Sequence, residues 1–313
     1  SSHSCFSITR AGGEFAGIIP AMHIERICVV GLGLMGGSLA LALRLARRLA
    51  IPQRPFHLSI VDSSPKTRAA AGRIADLVSD DLALGVQNAD LIVLATPVRT
   101  IVSVLHQLPS LRPDGCLVLD LGSSKTDICQ AMDHLPDTFQ AIGGHPMCGK
   151  EVAGFGAATP DLFRQQTFIL CPTQRTTPHL EAMAHQLVAD LGANPLFLPP
   201  ALHDNMVAVV SHLPYMVAAA LMRNAAQLGD ERLWPVSSSG FRDTSRVSGT
   251  DPRMMLDILL TNKTAVLQQI ARYQTQLADV ATLIEAHDEA ALLQWLTETQ
   301  QAYWAYRQAK KDS

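Results

Sequence analysis

Two stretches of this chain hold residue types at spacings that support chemistry. The first is Gly31-Leu32-Gly33-Leu34-Met35-Gly36, set between the apolar run Ile27-Cys28-Val29-Val30 and a helical segment rich in Leu, Ala and Arg. In that context the first glycine permits a tight turn and the second lets the backbone approach a pyrophosphate. The third allows a helix to pack closely on a strand. The helix N-terminus offers free N–H groups, beginning with Leu34 and Met35, and the positive end of its dipole to the phosphates. The second stretch is Gly143-Gly144-His145-Pro146-Met147-Cys148-Gly149. Framed by Gly-Gly and Pro, His145 reads as a loop residue without the packing neighbours of a core histidine. A proton acceptor held beside a nicotinamide is the minimum apparatus for oxidising an alcohol.

Further polar residues fall where a sheet edge would gather them. Asp62 closes the apolar run His57–Val61, where a carboxylate accepts hydrogen bonds from ribose hydroxyls and repels a 2′-phosphate. NAD is therefore the expected cofactor, with Lys66 and Arg68 keeping NADP open. Thr96 and Pro97 follow another apolar run and belong at the same edge, near the nicotinamide ribose. In Asp120-Leu121-Gly122-Ser123-Ser124-Lys125 a serine is placed either to orient a hydroxyl or carboxamide, or to cap a helix. His212 lies in an apolar helical stretch, where a histidine is ordinarily a satisfied core residue. Arg242 and Arg246 are four apart and share one face if helical. That spacing suits a carboxylate clamp, the alternative being an ion pair with Asp243 or Asp251. Glu151, just after the histidine segment, would attract a cationic substrate group.

The elements that must position these residues follow from pattern. Apolar runs at 27–30, 57–61, 91–95 and 117–121 alternate with helical segments, so the first half reads as a parallel sheet with helices on both faces. Beyond Pro199-Pro200 the spacing is helical, interrupted by a polar segment at 234–251. The expected architecture is an α/β Rossmann-like dinucleotide-binding domain over residues 22–198, then an all-α substrate-binding and dimerisation domain over 199–313. Residues 1–21 read as an unstructured extension or tag. Among 313 residues, 28 are acidic and 25 basic, which supplies no basic field for nucleic acid and no polybasic membrane patch. No apolar run reaches the ~18–20 residues of a membrane span. With 48% hydrophobic residues, an apolar homodimer interface is expected. The six cysteines lack C-x-x-C spacing and read as reduced thiols of a cytoplasmic protein, not as a metal site.

Taken in order, these motifs resemble the prephenate/arogenate dehydrogenase family of tyrosine biosynthesis. The resemblance runs from Met22 to about Ile270 and includes Ser211-His212-Leu213-Pro214 and Gly240-Phe241-Arg242-Asp243-Thr244-Ser245-Arg246. It implies that His145 accepts a hydrogen bond from the substrate ring hydroxyl, that Ser123 positions that hydroxyl and the nicotinamide, that His212 lines the pocket, and that Arg246 binds a substrate carboxylate. Ser124 stands where the family often has valine. The implied reaction is NAD-dependent oxidative decarboxylation of prephenate, with arogenate as the alternative substrate. A 3-hydroxyisobutyrate-type dehydrogenase is less compatible, because no glycine-rich helix with a lysine opens the second half. A non-catalytic NAD-binding module is the alternative from another class.

Overall fold

The computed structural model describes residues 24–49, 56–150, 152 and 154–311. The extension expected at 1–21 and Glu151 lie outside the described residues. Eight strands form one sheet: β1 (Arg26–Val30), β2 (His57–Val61), β3 (Leu77–Ser79), β4 (Leu91–Leu94), β5 (Leu117–Asp120), β6 (Gln140–Pro146), β7 (Thr167–Pro172) and β8 (Asn194–Phe197). Their spatial order is β3-β2-β1-β4-β5-β6-β7-β8. The sequence order reverses between β1 and β4, and ligands of open α/β sheets bind at that point, beyond the carboxyl ends of the strands. β1 and β4 are buried almost throughout, as the continuous apolar runs Ile27–Val30 and Leu91–Leu94 require of a sheet covered on both faces.

Helices α1 (Leu34–Leu49), α2 (Pro65–Ala71), α3 (Leu82–Val86), α4 (Val98–Leu111), α5 (Thr126–Asp133) and α6 (Pro178–Asp190) connect the strands. Two separate apolar cores result. One holds Val29, Leu39, Leu58, Leu119, Phe168 and Leu180, and the other Cys28, Ile92, Ile101, Leu105, Val118 and Phe139. Alternate residues of β1 enter different cores, which is the period of two that a strand imposes.

The sheet differs from the sequence reading in three places. β3 is a three-residue edge strand that carries too little pattern to be read. β6 takes in Gly143, Gly144 and His145, so the histidine segment is a strand and not a loop. β7 runs antiparallel to β6, with His145 opposite Ile169, which makes the sheet predominantly, not wholly, parallel. The two glycines explain the second difference. A Cβ on Gly144 would lie 2.5 Å from the Asp120 carbonyl oxygen, and one on Gly143 would lie 2.8 Å from Cys129 Sγ. Glycine here marks close backbone approach inside a strand.

The second half is helical: α7 (Pro200–Val207), α8 (Leu213–Gln227), α9 (Leu233–Val236), α10 (Ser239–Ser245), α11 (Pro252–Thr261), α12 (Lys263–Glu285) and α13 (Glu289–Lys311). A π turn, Ala208–His212, joins α7 to α8 into one continuous helical stretch. That stretch, Pro200–Gln227, is long and apolar enough by length and composition to cross a membrane, contrary to the sequence reading. Counting uninterrupted apolar residues missed it because His203, Asp204 and His212 punctuate the run; all three are buried against the sheet domain or α12. The polar segment at 234–251, expected as a loop, is wound into α9, α10 and a short 3-10 turn.

Candidate active site

The glycine turn after β1 has the geometry its sequence requires. Gly31 adopts φ +94°, a conformation that L side chains rarely take. A Cβ on Gly36 would sit 2.0 Å from the Gly31 carbonyl oxygen, so only glycine lets α1 start this close to the turn. At Gly33 a Cβ would meet nothing within 4 Å, which leaves its backbone open to a ligand. Asp62, at the tip of β2, reaches back to the turn: one carboxylate oxygen accepts from Leu32 N–H at 2.8 Å and the other from Ser64 N–H at 2.8 Å. Arg68 is folded onto the carbonyls of Asp62 and Ser63 and pairs with Asp80 at 2.9 Å. On the other side of the switch point, Thr96 Oγ1 is buried and has no partner among the described residues, beside an exposed Pro97. An open glycine, an oriented carboxylate and an unpartnered hydroxyl around one helix N-terminus fit a dinucleotide.

Two neighbouring helix N-termini at this edge are already occupied. Asp257 of α11 accepts from Arg99 N–H at the start of α4 and also binds the Arg99 guanidinium. Asp204 of α7 accepts from Lys125 N–H at 2.7 Å and Thr126 N–H at 2.8 Å, capping α5. Thus neither Ser123 nor Ser124 caps α5; a carboxylate from the helical half does so. Ser124 instead is buried and donates to Thr261 Oγ1 at 2.8 Å across the seam between the two halves. Ser123 is half-buried, three residues beyond the end of β5.

His145 lies near the end of β6, the strand next to β5, and is half-buried. Its backbone is held by a buried ion pair. Lys125, wholly buried, donates to Asp120 and to the Gly144 carbonyl at 2.7 Å. Asp120 in turn accepts from the N–H groups of Gly122 and Gly144. These contacts tie the Ser123 loop and His145 to one frame. They also give Lys125 a structural task, because breaking a buried pair leaves an uncompensated charge.

Sequence reasoning missed two residues of this site. His145 Nδ1 lies 2.8 Å from Nε2 of His203, and His203 Nδ1 lies 2.8 Å from Asp204 Oδ1. Burial, the neighbouring His203 and the Lys125 ammonium hold His145 well below the ordinary histidine pKa. His203 is lowered as well, by burial against the opposing pull of Asp204, while hydrogen bonds lower Asp204 in spite of its burial. His212 ends the π turn, is buried and meets the Asn262 amide at 3.2 Å; burial brings its pKa down to about 4. At neutral pH the three imidazoles of the site are therefore uncharged.

Arg242, on α10, is exposed and pairs with the adjacent Asp243 at 3.0 Å, the ion pair expected as the alternative to a carboxylate clamp. Arg246 opens the 3-10 turn that packs on α8 and is exposed in this chain.

Sequence and fold are both similar to those of known proteins. Residues 45–196 match the family model described as prephenate dehydrogenase, nucleotide-binding domain, and residues 199–298 match the prephenate dehydrogenase dimerization domain. The chain belongs to the prephenate dehydrogenase family. It is 31% identical to prephenate dehydrogenase of Bacillus subtilis over 87% of this chain and 73% of the relative. Among solved structures it is similar to arogenate dehydrogenase of Synechocystis, with 35% identity, a TM-score of 0.74, and coverage of 90% of this chain and 99% of that one. It is also similar to prephenate dehydrogenase of Aquifex aeolicus in complex with hydroxyphenyl propionate and NAD+. There the identity is 28% and the TM-score 0.83, covering 91% of this chain and 99% of that one.

Proposed function

We propose that this enzyme catalyses the oxidative decarboxylation of prephenate with NAD as hydride acceptor, and that His145 is its proton acceptor. The observation that carries this reading is a neutral imidazole, braced through Nδ1, at the same sheet edge as the open glycine turn. Bound NAD supplies the electrophilic carbon that takes hydride from C4 of the substrate ring. His145 accepts the C4 hydroxyl proton at Nε2, and the O–H electron pair becomes the new carbonyl. Loss of the ring carboxylate as carbon dioxide sends its bonding pair through the ring and the C4 carbonyl pair onto oxygen, which takes the proton back from His145 as the ring becomes aromatic. Aromatisation supplies the driving force, so the protein contributes mainly orientation and a base. Ser123 orients the hydroxyl and the carboxamide, His212 lines the pocket, and Arg246 binds a substrate carboxylate.

The glycine turn residues Gly31, Gly33, Leu34, Met35 and Gly36 hold the pyrophosphate, and Thr96 with Pro97 flanks the nicotinamide ribose. NAD fits better than NADP, because a 2′-phosphate would meet the Asp62 carboxylate and because Arg68 is engaged with Asp80 and two carbonyls. Similarity to an arogenate dehydrogenase supports a second reading, in which arogenate is the substrate. Arg242 would repel the side-chain ammonium that distinguishes arogenate from prephenate, but its pairing with Asp243 weakens that effect. Steady-state rates of NADH formation from each substrate test the choice: prephenate is expected to have the larger kcat/KM, and a tenfold advantage for arogenate reverses the assignment.

A further inference from the structure

We propose that Asp204 sets two active-site histidines in opposite tautomers, so that His145 carries an acceptor at Nε2 while His212 carries a donor there. The argument follows hydrogen-bond valence. Both oxygens of the Asp204 carboxylate already accept from backbone N–H groups of the α5 N-terminus, and an ionised carboxylate has no proton to give. Nδ1 of His203 must therefore donate to it across 2.8 Å. A neutral His203 then has only a lone pair at Nε2, so His145 must donate from Nδ1 across their 2.8 Å contact. That leaves His145 with a lone pair on Nε2.

The second branch starts from the main chain of the same residue. The Asp204 carbonyl can only accept, and Asn262 Nδ2 lies 2.8 Å from it, which fixes the orientation of the amide. The other amide hydrogen points to His212 Nδ1 at 3.2 Å. His212 thus accepts at Nδ1 and, being neutral, carries its proton on Nε2. Asp204, His203 and Asn262 are positioning residues: they act on the reaction only through the two imidazoles. The arrangement resembles the use of a buried Asp to hold a histidine tautomer in hydrolases, lengthened by one imidazole. When His145 takes the substrate proton, its Nδ1–H bond to His203 becomes charge-assisted, and the Asp204 carboxylate stabilises the resulting cation.

The proposal rests on His145 being the base, and the test separates the two. Nitrogen NMR of protein carrying 15N-labelled histidine, without substrate at neutral pH, reports which ring nitrogen bears hydrogen. His145→Asn and His212→Asn spectra assign the signals. The expected result is protonated Nδ1 in His145 and protonated Nε2 in His212; Nε2–H in His145 overturns the proposal. Should those tautomers be found while His145→Asn keeps its turnover, the base assignment alone is wrong. A kinetic arm uses Asp204→Asn, with kcat expected to fall roughly 10- to 100-fold, the scale of a hydrogen bond to a charged group. Its acid limb distinguishes positioning from damage. The groups acting on His145 are His203 of α7, Lys125 at the β5–α5 junction and His212 of the π turn, while Asp204 of α7 and Asp120 at the end of β5 act on His203. Removing the Asp204 charge should move the acid limb of kcat to lower pH. A loosened, wetter site would move it up toward the ordinary histidine value, and that direction would contradict the proposal. If Asp204→Asn does not fold, the wild-type spectrum decides alone.

Discussion

At the residue scale, the proposed reaction depends on an uncharged imidazole at His145. His145 must be neutral to accept a proton, and its surroundings hold its pKa well below 6.5. Activity should therefore persist as pH falls through 6.5, and decline only where the depressed His145 begins to protonate. A kcat profile whose acid limb sits at or above the ordinary histidine value would contradict this. Asp62→Ser should raise kcat/KM with NADP and lower it with NAD; a wild-type enzyme that already prefers NADP would refute the ribose assignment. His145 stood out in the sequence as a candidate because one contiguous segment carries the signal. His203 and Asp204 were not. An adjacent His-Asp pair near a helix start reads as a solvated face, and its meaning comes from contacts 58 and 79 positions away. The available signal was the abrupt His-Asp pair in an otherwise apolar helix following Pro199-Pro200.

At the element scale, two glycines of one motif should fail differently. Gly36→Ala places a methyl group 2.0 Å from the Gly31 carbonyl and must displace either α1 or the turn. It should lower Tm and weaken NAD binding together. Gly33→Ala adds a methyl group in open space, so Tm should hold while the Kd for NAD rises roughly tenfold or more, the cost of obstructing backbone approach. Equal Tm losses in the two variants, measured by calorimetry alongside NAD titration, would refute this division of roles. The alternation of strands and helices was readable because buried parallel strands are continuous apolar runs. β6 was not, since glycine is depleted in strands and the close backbone approach that requires it here is a tertiary fact. The cap of α5 was hidden for the same reason: the carboxylate arrives from the other half of the chain.

At the scale of the whole molecule, the two halves share a polar seam and the helical half carries uncovered apolar surface. Asp257 on α4, Thr261 on Ser124 and Asp204 on α5 join the halves, which places His203 and His212 beside β6. Val210, Leu256, Leu260, Leu267, Leu277 and Leu293 are each more than half exposed in the single chain. With a matched dimerization domain, that surface is expected to be covered by a second copy, and sedimentation should give a dimer; a monomer at micromolar concentration would count against it. The buried histidines also set the pH response of folding. Their folded-state pKa values lie below the unfolded value near 6.5, so stability is full above that pH. It is lost as pH falls, because the unfolded chain binds protons that the native state excludes. For His212, at about 4, this amounts to roughly 3 kcal/mol by the time the folded group titrates. Urea midpoints should fall between about pH 7 and about pH 5, and a constant midpoint would show that the imidazoles are not held neutral.

The most direct test of the central claim is NADH formation from prephenate by the wild-type enzyme and by His145→Asn at neutral pH, with NAD affinity measured in both. The wild type should turn over. The variant should lose ~10²–10⁴-fold in kcat, the usual contribution of a positioned base, with the Kd for NAD nearly unchanged. Near-full kcat in the variant would show that the proton leaves by another route and that His145 is not the base.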